Sequence, residues 1–176
     1  MHKLKIEEMD RLSVEEYKKA AKIPLIVILD NVRSIYNVGS ILRTADAFRV
    51  EKVCLCGITS VPPSPEIHKT ALGAEESVDW EYFKTAAEAC EYARSRGYML
   101  MAVEQVEGSL KTGEAMPEAK GYAVVLGHEV HGVDQKIVDA CDYALEIPQY
   151  GTKHSLNVSV AAGIVMWNFS EILTLR

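Results

Sequence analysis

The chain has 176 residues, of which 48% are hydrophobic and 25% are charged, a composition typical of one globular domain and unlike that of a disordered chain. No apolar run reaches the ~18–20 residues that a membrane span needs. Residues 1–21 contain no apolar signal region, so we expect a cytoplasmic protein. The net charge of −6 argues against binding nucleic acid over the whole surface.

The charge is unevenly distributed. Residues 1–49 carry nine Lys and Arg against seven Asp and Glu, whereas residues 50–176 carry ten against eighteen. An RNA partner would need a local basic face, which we therefore expect in the N-terminal quarter, at Lys18, Lys19, Lys22 and Arg33. The alternative is a solvated surface without a partner, and composition alone favours it.

The four cysteines do not form the paired C-x-x-C spacing of a zinc site. In a reducing compartment we expect buried or idle thiols and no metal.

Strands and helices alternate along the chain. The capping box that begins at Ser13 predicts a short helix to about Lys22, which Pro24 closes, and the apolar run Leu25–Leu29 predicts a buried strand. The further predicted elements are a helix over 38–48, strands over 53–56 and 77–83, a helix over 85–96 ended by Gly97, a strand over 98–103, a loop over 104–120, a strand over 122–126, a helix over 134–141, a strand over 144–147 and a helix over 157–173.

This alternation indicates an α/β fold with a parallel sheet. Sites in such sheets lie beyond the carboxyl ends of the strands. Loops rich in polar and small residues follow three of the strands, at 30–37, 127–132 and 148–157.

The first of these loops places two Asn and two Arg around a helix start, at Asn31, Arg33, Asn37 and Arg43. A helix N-terminus offers free N–H groups to a phosphate, and arginine adds bidentate phosphate binding. The alternative, equally favoured by this loop alone, is that Asn37 only caps the helix and Arg43 only forms a surface ion pair.

The second loop reads GHEVHG, and three interpretations compete. A P-loop requires Lys-Ser/Thr where Val133-Asp134 stands, so it is rejected. A zinc-protease helix requires histidines four apart, whereas His128 and His131 are three apart. The third interpretation is a glycine turn that lets backbone approach a ligand, with Glu129 as a polar anchor. No G-x-G-x-x-G motif occurs, which disfavours a dinucleotide site.

The third segment, 147–163, is a polar loop that enters a helix of small residues. An N-capped helix in a tight core explains Ala161, Ala162 and Gly163, but it does not require both Ser155 and Asn157.

Together the three segments closely resemble the motifs of the SpoU/TrmH family of the SPOUT superfamily of RNA ribose methyltransferases. The matching patterns are N-x-R-S-x-x-N-x-G-x-x-x-R-T, the G-x-E-x-x-G turn and S-L-N-V-S-x-A-A, in this order, within about residues 24–175. Gly73-Ala74 also stands where this family carries Gly-Ala.

The resemblance implies a parallel-sheet SPOUT fold with a deep C-terminal trefoil knot, which general topology rules would not predict. It implies an S-adenosyl-L-methionine site in that knot, held by backbone near Val103, Leu126, Gly127, Ile147, Ser155 and Leu156.

The resemblance also implies roles for individual residues. Arg43 matches the principal catalytic arginine; we expect phosphate positioning and electrostatic stabilisation first and proton removal second, because a free guanidinium is a poor base. Asn37 and Asn157 are expected to orient groups, Glu129 to hold a neighbouring helix end or Arg43, and Ser155 to fix its loop.

Two features depart from the family pattern. His128 stands where Asn or Ser is expected, and only a short helical extension, residues 1–23, precedes the methyltransferase domain at 24–176, whereas larger members carry a substrate-binding domain there. The family forms homodimers through the C-terminal helix. The apolar positions Val160, Ile164, Trp167 and Ile172 fit either such an interface or a buried core.

The expected function is therefore methylation of a ribose 2′-hydroxyl in tRNA or rRNA, with the choice of RNA and nucleotide left open. A non-catalytic RNA-binding protein of the same fold is the alternative, which the presence of Asn37, Arg43, Glu129 and Asn157 disfavours. Methylation of a base nitrogen is a third interpretation, and the Ser-Asn third motif favours ribose.

Overall fold

The computed structural model describes residues 1–5 and 8–174, and in these ranges the chain forms seven strands and seven helices. The strands are β1 (Ile23–Asp30), β2 (Val50–Cys56), β3 (Trp80–Phe83), β4 (Met99–Val103), β5 (Leu110–Lys111), β6 (Tyr122–Leu126) and β7 (Tyr143–Glu146). The helices are α1 (Val14–Lys19), α2 (Ile35–Ala47), α3 (Pro65–Ala71), α4 (Ala74–Ser77), α5 (Ala86–Ser95), α6 (Gln135–Ala140) and α7 (Val158–Ile172). None of these described helices has the length and apolar character to cross a membrane.

The strands form one sheet in the order β3-β2-β1-β6-β4-β7-β5, and every neighbouring pair is parallel. The predicted α/β fold with a parallel sheet is confirmed. Because all strands point the same way, the loops after β1, β4, β6 and β7 emerge at one edge. This edge carries the candidate site.

Helices cover both faces of the sheet. Along β1, Val27 and Leu29 belong to the core that α2 and α7 cover, whereas Ile26 and Ile28 belong to the core that α5 and α6 cover. All eight β1 positions are buried, as expected of a strand covered on both sides. The apolar run in the sequence thus reflects a central strand of a three-layer fold.

Helices α2 and α7 lie side by side and run in the same direction. Asn157 contacts Asn37 at their N-terminal ends, and a Cβ at Gly163 would lie 3.9 Å from Thr44 Cγ2 in the middle. Near the C-terminal ends, the rings of Phe48 and Trp167 are 5.8 Å apart. The parallel course brings both helix N-termini to the edge of the sheet where the polar loops lie.

The N-terminal helix is shorter than predicted. The capping box is present, since Ser13 Oγ accepts from Glu16 N–H and Ser13 N–H donates to the Glu16 carboxylate. However, α1 ends at Lys19 because Ala20 takes an extended conformation, and Pro24 belongs to β1 rather than closing the helix. Tyr17 is buried in the main core, and its hydroxyl donates to Ala45 O at 3.4 Å, so α1 packs near the C-terminal end of α2.

Four further elements differ from prediction. Helices α3 and α4 were not predicted, although Ser64 caps α3 and Pro65 occupies its first turn, where proline is favoured. Strand β3 begins at Trp80 instead of Ser77, because α4 extends to Ser77. The predicted loop over 104–120 contains the two-residue strand β5, which pairs with β7. Such short elements gain their stability from tertiary pairing, which leaves little local signal.

Candidate active site

A cavity of about 360 Å³ opens at the carboxyl ends of β4, β6 and β7, within the size range of small-molecule sites. Of the three polar loops, 127–132 lines the cavity throughout and 148–157 lines it in part, whereas no residue of the 30–37 loop is among the lining residues; residues after β4 complete the wall. All six residues predicted to hold a cofactor are in its wall, namely Val103, Leu126, Gly127, Ile147, Ser155 and Leu156. The structure therefore brings these six positions together.

The 127–132 turn closes on itself through two backbone hydrogen bonds. His128 N–H donates to Gly132 O at 3.0 Å, and Gly132 N–H donates to His128 O at 2.8 Å. A Cβ at Gly127 would lie 2.1 Å from the carbonyl carbon of Gly132, so no side chain fits there. The predicted glycine turn is present, and the close approach that demands Gly127 is to the turn's own backbone, while its predicted contact with a ligand stays a prediction.

His128 has a structural task in this turn. Its Nδ1 accepts a hydrogen bond of 3.0 Å from Val130 N–H. Asn and Ser side chains typically form the same local bond to backbone two residues on. The departure from the family pattern therefore preserves an acceptor for Val130.

Glu129 joins the turn to the start of α2. Its Oε2 accepts from Arg33 N–H at 2.9 Å, and its Oε1 accepts from Ser34 N–H at 2.9 Å and from Asn37 Nδ2 at 3.0 Å. Burial by itself would raise the pKa of Glu129, but these donors outweigh it and the pKa lies below its ordinary value. The geometry agrees with the expectation that Glu129 holds a neighbouring helix end, and that end belongs to α2.

Asn37 and Asn157 continue this chain of hydrogen bonds. Asn157 Nδ2 donates to Asn37 Oδ1 at 3.2 Å, while Asn157 Oδ1 accepts from Ser159 N–H at 2.9 Å as the cap of α7. Asn37 is not the cap of α2, because Ser34 fills that position. Both Asn37 amide atoms are thus used to connect the 127–132 turn with the third segment.

Several residues of the first motif have structural roles within the fold. Asn31 has a φ of 56° and its Oδ1 accepts from Ile58 N–H at 3.1 Å. Gly39 permits contact between α2 and α3, since a Cβ there would lie 2.5 Å from Ile67 O. These positions are explained by packing and turn geometry alone.

The two arginines of this motif are different. The side chains of Arg33 and Arg43 are exposed, and neither guanidinium has a hydrogen bond or ion pair to another residue in the described ranges. The suggested surface ion pair of Arg43 is therefore absent from the described part of the chain. Arg43 lies roughly 9 Å further along the α2 axis than Asn37. Both arginines are available to a partner outside this chain.

The segment that follows β7 forms the outer wall of the cavity. Ser155 and Leu156 line the cavity and are exposed, and Gln105 Nε2 fastens the segment by donating to His154 O at 2.9 Å. No hydrogen bond of the Ser155 hydroxyl occurs within the described residues, so its expected role in fixing the loop is not supported by such a bond.

The predicted basic residues of α1 lie elsewhere. Because α1 packs near the C-terminal end of α2, Lys18 and Lys19 are separated from Arg33 by about the 20 Å length of a 13-residue helix. Lys22 Nζ donates to the carbonyls of Tyr17 and Ala20 and lies 4.3 Å from the Tyr17 ring centre. Burial, together with the charge of Arg49, lowers the pKa of Lys22. Lys22 is therefore engaged within the fold, and its predicted contact with RNA stays a prediction.

The burial of the four cysteines agrees with the prediction that their thiols are buried or unreactive. Cys54, Cys56 and Cys90 are buried, and Cys141 is partly buried. Burial raises the pKa of Cys54 and Cys141 to about 12 and that of Cys90 to about 11, which disfavours the reactive thiolate. Within residues 1–5 and 8–174, no group of three His, Cys, Asp or Glu is placed to hold a metal ion.

Several residues of the cavity wall were not predicted from the sequence, among them Glu104, Gln105 and His154. Glu104 and Gln105 directly follow β4, so the rule that sites lie at carboxyl strand ends could have identified them. The length of the predicted 104–120 loop obscured that signal.

This chain is similar to known proteins over most of its length. The SpoU rRNA Methylase family profile matches residues 24–167. A Staphylococcus saprophyticus protein named for the TrmH family of tRNA/rRNA methyltransferases is 32% identical over 154 residues, which is 88% of this chain and 61% of the relative. The chain thus spans about three fifths of the length of the curated relatives it matches.

Solved structures share the fold. The A. aeolicus TrmH/SpoU tRNA modifying enzyme superposes with a TM-score of 0.78 at 26% identity, covering 90% of this chain and 81% of that one. An RNA 2′-O ribose methyltransferase gives 0.74 at 26% identity, covering 85% and 57%. An AdoMet-bound rRNA methyltransferase from Sinorhizobium meliloti has a TM-score of 0.79 at 24% identity, covering 95% of this chain and 63% of that one, and this likeness concerns the fold alone. With most of its length matched by the family profile, this chain belongs to the SpoU rRNA Methylase family.

Proposed function

We propose that this protein uses S-adenosylmethionine to methylate a ribose 2′-hydroxyl in tRNA or rRNA. The observation that carries the proposal is the hydrogen-bonded chain Glu129–Asn37–Asn157, which joins all three motifs beside the cavity. Family membership supports methyl transfer, and the likeness to an RNA 2′-O ribose methyltransferase supports the ribose as its target.

The cavity suits an adenosyl cofactor. Its wall combines apolar side chains from strand ends, such as Val103, Leu126 and Ile147, with the polar backbone of the 127–132 turn. An apolar cleft with a few fixed polar groups is typical of small-molecule sites. When bound there, S-adenosylmethionine supplies a methyl group activated by its sulfonium charge.

The residues of the chain would position the RNA and exclude water. We infer that Arg43, which is exposed and has no partner among the described residues, holds the phosphate beside the target ribose. Asn37 and Asn157 fix the starts of α2 and α7 around the site, which favours alignment of the reacting atoms to ~3–3.5 Å. Transfer forms the oxygen–methyl bond, breaks the carbon–sulfur bond and releases the hydroxyl proton.

Glu129 is poorly suited to accept that proton. Its carboxylate already accepts three hydrogen bonds, and its lowered pKa makes it a weak base. Arg43 is charged at neutral pH, so its electrostatic contribution comes first and proton removal second.

We further propose a homodimer formed through α7. The side chains of Val160, Trp167 and Ile172 are 50%, 54% and 50% exposed, so they are not part of the core of one subunit. Val160 and Trp167, seven residues apart, lie on the same side of α7 and form an exposed apolar strip, which favours an interface. The trefoil knot also stays a proposal. In the sheet, β7 lies between β4 and β5. The chain therefore passes the position of β7 on its way from β4 to β5, and passes it again on its return from β5 to β6.

The function is tested by incubating the purified protein with methyl-labelled S-adenosylmethionine and either tRNA or rRNA. A 2′-O-methyl group blocks alkaline cleavage at its own nucleotide, so we expect label in alkali-resistant dinucleotides. Mapping these positions in RNA from cells with and without the gene then identifies the substrate. Label recovered only on bases would exclude the ribose assignment.

A further inference from the structure

Among the described residues, two carboxylates line the cavity, and one of them has an oxygen that no donor reaches. Both oxygens of Glu129 accept hydrogen bonds from the start of α2. Glu104 is also in the wall, directly after β4. Its Oε1 accepts from Val133 N–H at 2.8 Å, whereas within residues 1–5 and 8–174 no donor reaches Oε2.

Both the backbone and the side chain of Glu104 are held by contacts with other segments. Its backbone N–H donates to Leu145 O at 3.2 Å, which fixes it against β7. Its carboxylate lies against the 127–132 turn, since a Cβ at Gly132 would be 2.1 Å from Oε1. The side chain is therefore placed before any ligand arrives, with Oε2 as the oxygen without a protein donor.

A carboxylate oxygen in a partly buried wall needs a donor or water to offset the loss of hydration. The residues that line the cavity include no Lys or Arg that could neutralise Glu104. The occupant of the cavity is therefore expected to offer a hydrogen-bond donor.

We infer that Glu104 Oε2 accepts a hydrogen bond from the adenosyl cofactor and so helps select it. This inference rests on the proposed function, which supplies the ligand. S-adenosylmethionine carries two kinds of donor that suit a carboxylate: the hydroxyls of its own ribose and the ammonium group of its amino-acid part. The other oxygen, Oε1, accepts from Val133 N–H and would at the same time keep the 127–132 turn closed around the ligand.

Glu104→Gln tests the inference with little change in shape. A carboxamide has one oxygen and one NH2 group, so it cannot serve both Val133 N–H and a donor on the ligand. We expect titration calorimetry to show about 10- to 100-fold weaker binding of S-adenosylhomocysteine, as for the loss of a hydrogen bond to a charged group. Glu107→Gln is the matched control, because Glu107 is exposed and absent from the cavity wall.

A second ligand separates the two donors. 5′-Methylthioadenosine keeps the ribose but lacks the amino-acid part. Weaker binding of both ligands to Glu104→Gln indicates the ribose hydroxyls, and weaker binding of S-adenosylhomocysteine alone indicates the ammonium group. Unchanged affinity of Glu104→Gln for both ligands overturns the inference.

The proposed function fails in a different way. If the wild-type protein binds neither S-adenosylhomocysteine nor S-adenosylmethionine, the cofactor assignment itself is wrong. If the wild type binds them and Glu104→Gln binds them equally well, only the role of Glu104 is wrong. Thermal unfolding of the same preparations verifies that the variant is folded.

Discussion

Asn157 donates a 3.2 Å hydrogen bond through Nδ2 to Oδ1 of Asn37, which is 120 residues earlier in the chain. This contact aligns the N-terminal ends of α2 and α7 and extends to Glu129 through Asn37 Nδ2. One side-chain amide therefore connects the helix that carries Arg43 with both segments that line the cavity.

Asn157→Asp should separate helix capping from the link to Asn37. Aspartate is an equally good N-cap, so it retains the bond to Ser159 N–H. It lacks the Nδ2 donor and would set a carboxylate oxygen against Asn37 Oδ1. We expect a small fall in melting temperature but at least a tenfold lower single-turnover rate, since misplacement by about 1 Å can cost 10²-fold. A near wild-type rate would show that the link does not align the site.

Glu129→Gln should lower the free energy of unfolding at neutral pH and should weaken its dependence on pH in the acid range. The folded-state pKa of Glu129 lies below the ordinary value of 4.5, so the unfolded chain takes up this proton more readily. The stabilisation is then fully present above about pH 4.5 and is lost as the pH falls through the lower, folded-state pKa. At pH 7 we expect the variant to lose about 2 kcal/mol of unfolding free energy, as for hydrogen bonds to a charged acceptor.

Denaturant titrations of wild type and Glu129→Gln between pH 3 and pH 7 measure this effect. The difference between the two proteins should shrink as the pH falls below about 4.5. Glu107→Gln, which removes an exposed carboxylate outside the cavity, should retain wild-type stability at pH 7. A constant difference across the range would contradict the assigned hydrogen bonds.

Arg43→Ala should abolish most methyl transfer without unfolding the protein. The guanidinium has no partner among the described residues, so its removal costs little stability. Losing a preorganised charge contact typically lowers the rate by ~10²–10³-fold, and Arg43→Lys should restore little because an ammonium lacks the bidentate fork. Cofactor affinity, melting temperature and single-turnover rate are measured together, with Lys136→Ala on α6 as the control. An unchanged rate would remove Arg43 from the mechanism.

Trp167→Glu should convert the proposed dimer into a monomer. Trp167 is 54% exposed on the apolar strip of α7, and a charge would be buried there on dimerisation. Tyr82→Glu is a matched control, because Tyr82 is 50% exposed but lies on β3, at the far edge of the sheet. Light scattering at micromolar concentration should give a dimer for the wild type and the control. A wild-type monomer would contradict the proposal, since a stable interface needs about 1,000 Å².

RNA affinity should depend on salt through residues at both ends of α2. Arg33→Ala should lower the salt slope by about one unit, and the Lys18→Ala, Lys19→Ala pair by about two, if each side chain contacts one phosphate. Lys22→Ala should change the slope little, because its ammonium binds the carbonyls of Tyr17 and Ala20. Filter binding over a range of salt concentrations measures each slope. An unchanged slope for the Lys18 and Lys19 pair would confine the RNA to the cavity end.

Local patterns in the sequence were sufficient for the α/β class and for most of the strands and helices. Apolar runs such as Leu25–Leu29 report burial on both faces, and caps such as Ser13 and Asn157 report helix starts, because these signals depend on neighbours in the chain. The resemblance to family motifs predicted six cofactor-binding residues, and the fold brings all six to one cavity.

Tertiary structure alone decided which side chains remain free to act. Glu129 and Glu104 are both charged in the sequence, but their partners come from distant segments: the start of α2 holds Glu129, and Val133 N–H occupies one oxygen of Glu104. Hydrogen bonding over 29 to 96 residues leaves no local pattern. For the same reason the place of α1 at the far end of α2 emerged only from the packing of Tyr17 against Ala45.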